Sequence, residues 1–366
     1  MASGPTVGRI PITGIFLILF SLASGATQAE ESELLRPGSM SLALTFTTQA
    51  DQGLYSLAWS PNSQTLACGG LNKIWLFSAP GFGALGRLAA EQGEVWGLAW
   101  APTGNLLISG GIDGSLIWWE NRTLLKTRNE GGAIYDVAFS PDGRELAVAD
   151  DSATTKIWKI EGYPRSTIQL DGAGLGVSWA PHGRDLVIGT GQGGSSLLVL
   201  DANSAEVRWR SQNVPSGYRA PYGFGKDEVN GVAYSPTGNW IAAAFQDGRI
   251  LIFGARTGRK HLGLQLHRPG SGGARRVTWS ADGKWIASCG EDGRVNLVSF
   301  SHPTRRVELL STSKAVWEVA FSPDNRWLAA VGDEGRVWVW DVSSQSDRSS
   351  PSNRNRHSNH SRHGRR

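Results

Sequence analysis

An apolar–small–aromatic triplet recurs seven times along the chain: Leu57-Ala58-Trp59, Leu98-Ala99-Trp100, Val137-Ala138-Phe139, Val177-Ser178-Trp179, Val232-Ala233-Tyr234, Val277-Thr278-Trp279 and Val319-Ala320-Phe321. Neighbouring aromatics stand 39 to 55 residues apart. Two residues beyond them come Pro61, Pro102, Pro141, Pro181, Pro236 and Pro323, with Ala281 in the sixth repeat. A turn pair follows each time: Asn62-Ser63, Thr103-Gly104, Asp142-Gly143, His182-Gly183, Thr237-Gly238, Asp282-Gly283 and Asp324-Asn325. Proline presets φ for a turn entry and Gly or Asn accepts the left-handed conformation, so these predict hairpins, with Ser63 the poorest fit. Seven residues after each aromatic an aliphatic returns, at Leu66, Leu107, Leu146, Leu186, Ile241, Ile286 and Leu328, which predicts a second strand paired to the first. Further turns at Asp113-Gly114, Asp247-Gly248, Asp292-Gly293 and Glu334-Gly335 lead to a third strand carrying Phe77, Trp119, Trp158, Leu200, Phe253, Val298 or Trp340. Three strands and a variable fourth make one blade, and seven predict an all-β, seven-bladed β-propeller of four-stranded antiparallel blades over residues 40–345.

The ends of the repeat region predict how the ring closes. After residues 336–342 the chain turns into Ser, Asn, Arg and Pro and offers no fourth strand, whereas residues 41–48 alternate like a strand and have no blade of their own. The N-terminal strand is therefore expected to join the last blade, leaving no unpaired edge at the seam.

These features resemble the WD-repeat family. Trp340-Asp341 is the pair that names it, and Trp119-Glu120 comes close. The Gly-His pair that usually opens a repeat is absent from all seven, so the resemblance implies that the family's buried His-Ser-Asp-Trp network does not form in full and that the blades rely more on packing. The resemblance also implies a protein-interaction scaffold, with the residue four before each aromatic at the mouth of a central channel. That position holds Tyr55, Trp96, Tyr135, Leu175, Asn230, Arg275 and Trp317. The expected partner face is thus aromatic on one arc (Trp317, Tyr55, Trp96, Tyr135) and polar on another (Asn230, Arg275), a composition that suits interface hot spots. Packing between blades would use the same aromatics. An insertion at 213–228, with Tyr218 and Tyr222, is expected on the same face, either as a partner loop or as an insertion without a role.

Charge and composition narrow the function. Of the formal net charge of +4, residues 347–366 supply six Arg against one Asp and residues 1–29 supply Arg9, which leaves −2 for the body between them. A body with no basic excess is not built to track a phosphate backbone, so nucleic acid is not an expected partner of the folded part. Cys68 and Cys289 are the only cysteines; they fall in the second strands of blades one and six and are expected to stay free thiols. With the body histidines scattered, neither a metal nor a cofactor is expected. No phosphate loop, nucleophile elbow or zinc-protease run is present, and Gly191-Gln192-Gly193-Gly194 reads as a hairpin turn, so no enzyme is expected. The alternative functions are an exported propeller that binds a glycan or other small molecule, and a propeller enzyme.

The two ends carry targeting and solvation signals. Arg9, the apolar residues 10–22, small residues through Ala29 and then Glu30 and Glu31 follow the order of a secretory signal peptide over residues 1–29, too short a run to span a bilayer comfortably. The expected location is periplasmic or secreted; an uncleaved anchor, or cytoplasmic protein from a misassigned start codon, are the alternatives. Residues 346–366 are Arg, His, Ser and Asn without apolar periodicity, which predicts a solvated tail or a contact with an acidic surface, and no stable membrane span. Asn121-Arg122-Thr123 and Asn359-His360-Ser361 match the glycosylation acceptor pattern.

Overall fold

The computed structural model describes residues 42–47, 52–191, 197–211 and 228–343. The predicted leader, residues 213–227 with Tyr218 and Tyr222, the stretch Gln192-Gly193-Gly194, the second acceptor at Asn359 and the tail 346–366 lie outside the described residues.

The described residues fold as strands joined by turns. β1 (Leu42–Thr47) precedes β2 (Leu54–Trp59), β3 (Thr65–Ser78), β4 (Ala84–Trp100), β5 (Leu106–Gly111), β6 (Ser115–Glu120) and β7 (Thr123–Asn129), and β2 to β7 form one sheet. The second sheet is β8 (Ile134–Phe139), β9 (Glu145–Asp150), β10 (Thr154–Lys159) and β11 (Tyr163–Gln169). The third is β12 (Ala173–Trp179), β13 (Asp185–Gly191), β14 (Leu197–Asp201) and β15 (Val207–Arg210). The fourth is β16 (Val229–Tyr234), β17 (Trp240–Phe245), β18 (Arg249–Gly254) and β19 (Lys260–Gln265). The fifth is β20 (Ala274–Trp279), β21 (Trp285–Gly290), β22 (Arg294–Ser299) and β23 (Arg306–Ser311). The sixth joins β24 (Val316–Phe321), β25 (Trp327–Gly332) and β26 (Arg336–Asp341) to the N-terminal β1, which pairs antiparallel with β26. The architecture is an all-β propeller of small antiparallel sheets.

Six sheets stand where the repeats predict seven blades, and the difference lies in the first of them. β3 is 14 residues long and β4 is 17. The first half of β3 pairs with β2 and its second half with the first half of β4, whose own second half pairs with β5. The second, fifth, sixth and seventh repeats break between second and third strands at an Asp-Gly or Glu-Gly turn. Here Leu71-Asn72 stands instead, and the reversal is taken up inside continuous strands, at Asn72 (φ 58°) in β3 and at Glu91 (φ 51°) and Gly93 (φ 67°) in β4. Gly93 N donates to Asn72 Oδ1 at 2.8 Å, holding the two bends together.

The turn after each triplet follows its chemistry. The second residue of all seven turn pairs has positive φ: Ser63 59°, Gly104 82°, Gly143 70°, Gly183 71°, Gly238 71°, Gly283 71° and Asn325 61°. Ser63 therefore adopts the turn despite its Cβ, and its Oγ accepts from Asp324 N at 3.0 Å. Buried serines tie the same turns. The Oγ atoms of Ser60, Ser140, Ser280 and Ser322 each donate to the Asn or Asp two residues on, and accept the backbone N–H five residues on at 2.9 Å.

Packing occurs between successive sheets, with the triplets on β2, β4, β8, β12, β16, β20 and β24. Three of the four triplet tryptophans reach back to the previous triplet's middle carbonyl: Trp179 Nε1 donates to Ala138 O at 3.0 Å, Trp279 to Ala233 O at 3.2 Å, and Trp59 to Ala320 O at 3.2 Å. One core cluster mixes Leu54, Leu66 and Phe82 with Trp327, Val331 and Val337, so the first and last sheets pack directly. Cys68 and Cys289 are free and buried in different clusters.

Polar ties are richer than the missing Gly-His pairs predict. His267 Nδ1 meets Asp292 Oδ1 at 2.8 Å and Nε2 meets Ser288 Oγ at 2.9 Å; Val298 replaces the tryptophan that would complete the chain. In the second repeat Gln92 takes the histidine's place: Ser109 Oγ donates to Gln92 Oε1 at 2.6 Å and accepts Trp119 Nε1 at 2.9 Å. The amide supplies the acceptor and donor an imidazole would, but Asp113 bonds Ser115 rather than Gln92, so the four-membered network stays incomplete, as expected.

Candidate functional site

Seven β-bulges build the site. In the first strand of every repeat the ladder skips one residue: between Leu54 and Ser56, Val95 and Gly97, Ile134 and Asp136, Gly174 and Gly176, Val229 and Gly231, Ala274 and Arg276, and Val316 and Glu318. The skipped residues are Tyr55, Trp96, Tyr135, Leu175, Asn230, Arg275 and Trp317, the positions singled out from the sequence. A bulge leaves its extra residue unpaired and re-aims its side chain, which frees these seven from the in–out alternation of the strand.

Three of the predicted aromatics form one cluster. Tyr55 and Trp96 have ring centroids 4.9 Å apart, and Trp96 meets Trp317 edge-on at 5.1 Å. All three are half-buried. Acidic groups fix their polar ends: Trp96 Nε1 donates to Glu94 Oε2 at 3.0 Å and Trp317 Nε1 to Asp333 Oδ1 at 2.5 Å. Burial, with Glu94 as hydrogen-bond partner and Asp333 close by, pushes the Tyr55 phenol up to about 12. Gly53 makes room for this, since a Cβ there would come within 3.1 Å of the Tyr55 hydroxyl.

The predicted division into an aromatic and a polar arc does not describe the arrangement. Arg275 belongs to the aromatic cluster, its guanidinium 5.0 Å from the Trp317 ring centroid and paired with Glu291, whose carboxyl burial raises against the pull of Arg275. Asn230 is 5% exposed; its Nδ2 donates to Gln246 Oε1 at 2.7 Å and Ala274 O at 2.9 Å, so its amide ties β16 to its neighbours. Tyr135 is half-buried, and its carbonyl accepts Arg276 Nη2 at 3.2 Å. Leu175 is half-buried beside Gly191.

One residue further along the same strands lies a group that sequence reasoning missed. The residues after the bulges are Ser56, Gly97, Asp136, Gly176, Gly231, Arg276 and Glu318. Arg276 Nη1 donates to Asp136 Oδ2 at 2.9 Å and Nε to Glu318 Oε2 at 2.8 Å, bringing together residues 140 positions apart. Asp136 Oδ2 also accepts Val177 N at 2.9 Å, so one triad ties β8, β12, β20 and β24. Glycine lets neighbouring strands close in: a Cβ on Gly231 would lie 2.6 Å from Arg275 O, and one on Gly176 3.0 Å from Asn230 O. Burial pushes Glu318 up to about 7 and raises Asp136, in each case against Arg276. The signal available in the sequence was three charges at a strand position that is otherwise Gly or Ser.

Chemically, the cluster offers aromatic faces, indole and phenol polar ends and paired charges, which suit recognition of a surface. The Ser288–His267–Asp292 chain has the order of a hydrolytic triad, but the side chains of His267 and Asp292 are fully buried, so it ties strands together. Among the described residues no helix is long and apolar enough to cross a membrane.

The profile of the WD domain, G-beta repeat family matches residues 41–78, 84–120, 122–159, 221–253, 263–299 and 305–341. The fourth triplet, on β12, falls between the third and fourth matched segments, where the sheet β12–β15 nonetheless forms. The chain is 25% identical over 181 residues to the WD repeat-containing protein WDS homolog of Arabidopsis thaliana, covering 46% of this chain and 32% of that protein. It is 25% identical over 251 residues to Protein HIR1 of Candida albicans, covering 58% and 26%. It is 24% identical over 220 residues to the WD repeat-containing protein SL1-17 of Schistosoma mansoni, covering 57% and 68%. The chain thus spans about a third or less of the first two relatives and about two thirds of the other.

Proposed function

Because this chain belongs to the WD domain, G-beta repeat family, we propose that it is a non-catalytic scaffold that binds a protein or peptide partner at the cluster of Tyr55, Trp96, Trp317 and Arg275. The carrying observation is that β-bulges lift these four residues out of their ladders and gather them, half-buried, among Glu94, Asp333 and Glu291. Large amphipathic rings held in place lose little entropy on binding and dominate interface energetics. The test is capture of a stoichiometric partner by the wild-type chain and its loss with Trp96→Ala or Trp317→Ala, on protein whose melting is followed in parallel. Normal affinity in a destabilised folded fraction would sink the assignment.

The scaffold is proposed to be a closed ring of seven blades. Supporting this are the seven triplets on first strands, the change of partners midway along β3 and β4, the β1–β26 pairing, and the core shared by the first and last sheets. Export is part of the proposal, on the strength of residues 1–29. N-terminal sequencing of protein from the native host is expected to begin near Thr27 or Glu30, and an intact Met1 on soluble cytoplasmic protein would rule it out.

A further inference from the structure

At the other end of the strands from Asp333, the turn between β18 and β19 borders an open depression of about 310 Å³ lined by Trp240, Gly254, Arg256, Arg259, Lys260 and His261. Its origin is a local change in the repeat. Where the second strand begins and the third ends, the third sheet pairs Asp185 with Asp201 and sets Arg208 on both at 2.5 and 2.7 Å. The second sheet pairs Glu145 with Lys159, bridged at 2.7 Å, and adds Arg165 at 2.8 Å. In the fourth sheet the same rung is Trp240 and Gly254, with no carboxylate. Gly254 leaves the space open, since a Cβ there would come 2.9 Å from Thr257 Oγ1. The floor is fixed: the Trp240 ring stacks on His261 at 4.4 Å and meets Phe300 at 5.7 Å.

Three cations therefore line a depression whose rung lacks the carboxylate found there in the second, third and sixth sheets. Arg256, Arg259 and Lys260 are exposed, and among the described residues no carboxylate pairs with any of them. Some cations on this side of the molecule are neutralised locally, as Lys284 is by Asp282 at 3.3 Å and Arg326 by Asp341 at 3.6 Å. Two guanidinium forks and an ammonium on one short turn match the oxygens of a doubly charged phosphate, and the indole beside them suits the apolar atoms that carry it. We propose that this turn is a second binding site, for a phosphate monoester on a peptide side chain.

The site is read by calorimetry on the full chain with a phosphoserine peptide, its unmodified serine counterpart, a peptide with Glu in that place, and vesicles containing phosphatidic acid. Binding of the phosphopeptide is expected, weakened about tenfold or more by Arg256→Gln with Arg259→Gln and unchanged by Lys284→Gln. Melting temperature should not move in either variant, because all three side chains are exposed. Equal binding of the Glu or Ser peptide, binding of vesicles alone, no binding of any probe, or unchanged affinity in the double variant would overturn the proposal. The site lies apart from Trp96 and Trp317, so Trp96→Ala should leave phosphopeptide affinity intact.

Discussion

Neighbouring residues on the same strands do opposite work. Arg275, Trp317, Trp96 and Tyr55 are bulge residues, partly open, linked in that order by ring contacts and touching acidic side chains. Arg276 and Glu318, one position later, join Asp136 in a less exposed triad that links four first strands. Without the bulge, strand alternation would put neighbours on opposite faces and fix one relation for the whole strand. With it, the strand begins with a residue left out of the ladder immediately before one that ties neighbouring strands together. The comparison teaches that the two arginines of one Arg-Arg pair should differ sharply in what their loss costs.

The largest effect is expected at the triad. Arg276→Met leaves Asp136 and Glu318 facing each other without a counter-charge and should cost about 3–5 kcal/mol of unfolding free energy in urea titration. Arg275→Met removes only a partly exposed ion pair and a cation–ring contact, at roughly 1 kcal/mol. Equal losses in the two variants would break the distinction. Next come the rings: Trp96→Ala and Trp317→Ala should each weaken partner binding by about 2 kcal/mol or more. Their stability cost should fall below the roughly 3–5 kcal/mol expected for Trp118→Ala, whose indole is enclosed.

The triad also sharpens the comparison through pH. With Glu318 pushed up to about 7, the folded chain holds a proton that the unfolded chain has released above about 4.5. The triad's contribution is therefore fully present below about pH 4.5 and fades as pH rises through about 7, a loss of roughly 3 kcal/mol. Glu318→Gln keeps the hydrogen-bonding shape without the titration, so the difference between it and the wild type should shrink in that window; a parallel pH profile for the two would contradict the assignment. The smallest effect belongs to Tyr55. Ultraviolet titration should find one phenol ionising near pH 12, and Glu94→Gln should bring it down by removing an adjacent charge.

Much of the architecture was legible in the chain because its signals are local. Triplet, proline and left-handed turn residue lie within a few positions of each other, and repetition made each repeat a check on the rest. Even Ser63, a poor turn residue, took the conformation its neighbours have. The first sheet was less legible: without an Asp-Gly pair after Gly70, the chain bends inside strands at Asn72 and Gly93, and two predicted units merged. The candidate site was legible as a set of positions, since counting back from each aromatic found all seven bulge residues. Its grouping was not, because Asn230 and Arg275 look equally polar in sequence while one is spent on Ala274 and Gln246 and the other lies over Trp317.

The sequence by itself determined the repeat, the strand order within it, the turn conformations and the recurring position four before each aromatic, while the bulge that stands at each came only with the structure. Only the tertiary structure decided which of those positions meet. Asp136 and Arg276 are joined by the way separate sheets face one another, and no periodicity along the chain records that. The same holds for Gln92 standing in for histidine beside Ser109 and Trp119, and for Trp240 opposite Gly254, where the absence of a carboxylate acquires meaning only beside the cations of the adjoining turn. Electrostatic and hydrogen-bond energies depend on distance in space, whereas the signals that set the strands depend on distance along the chain.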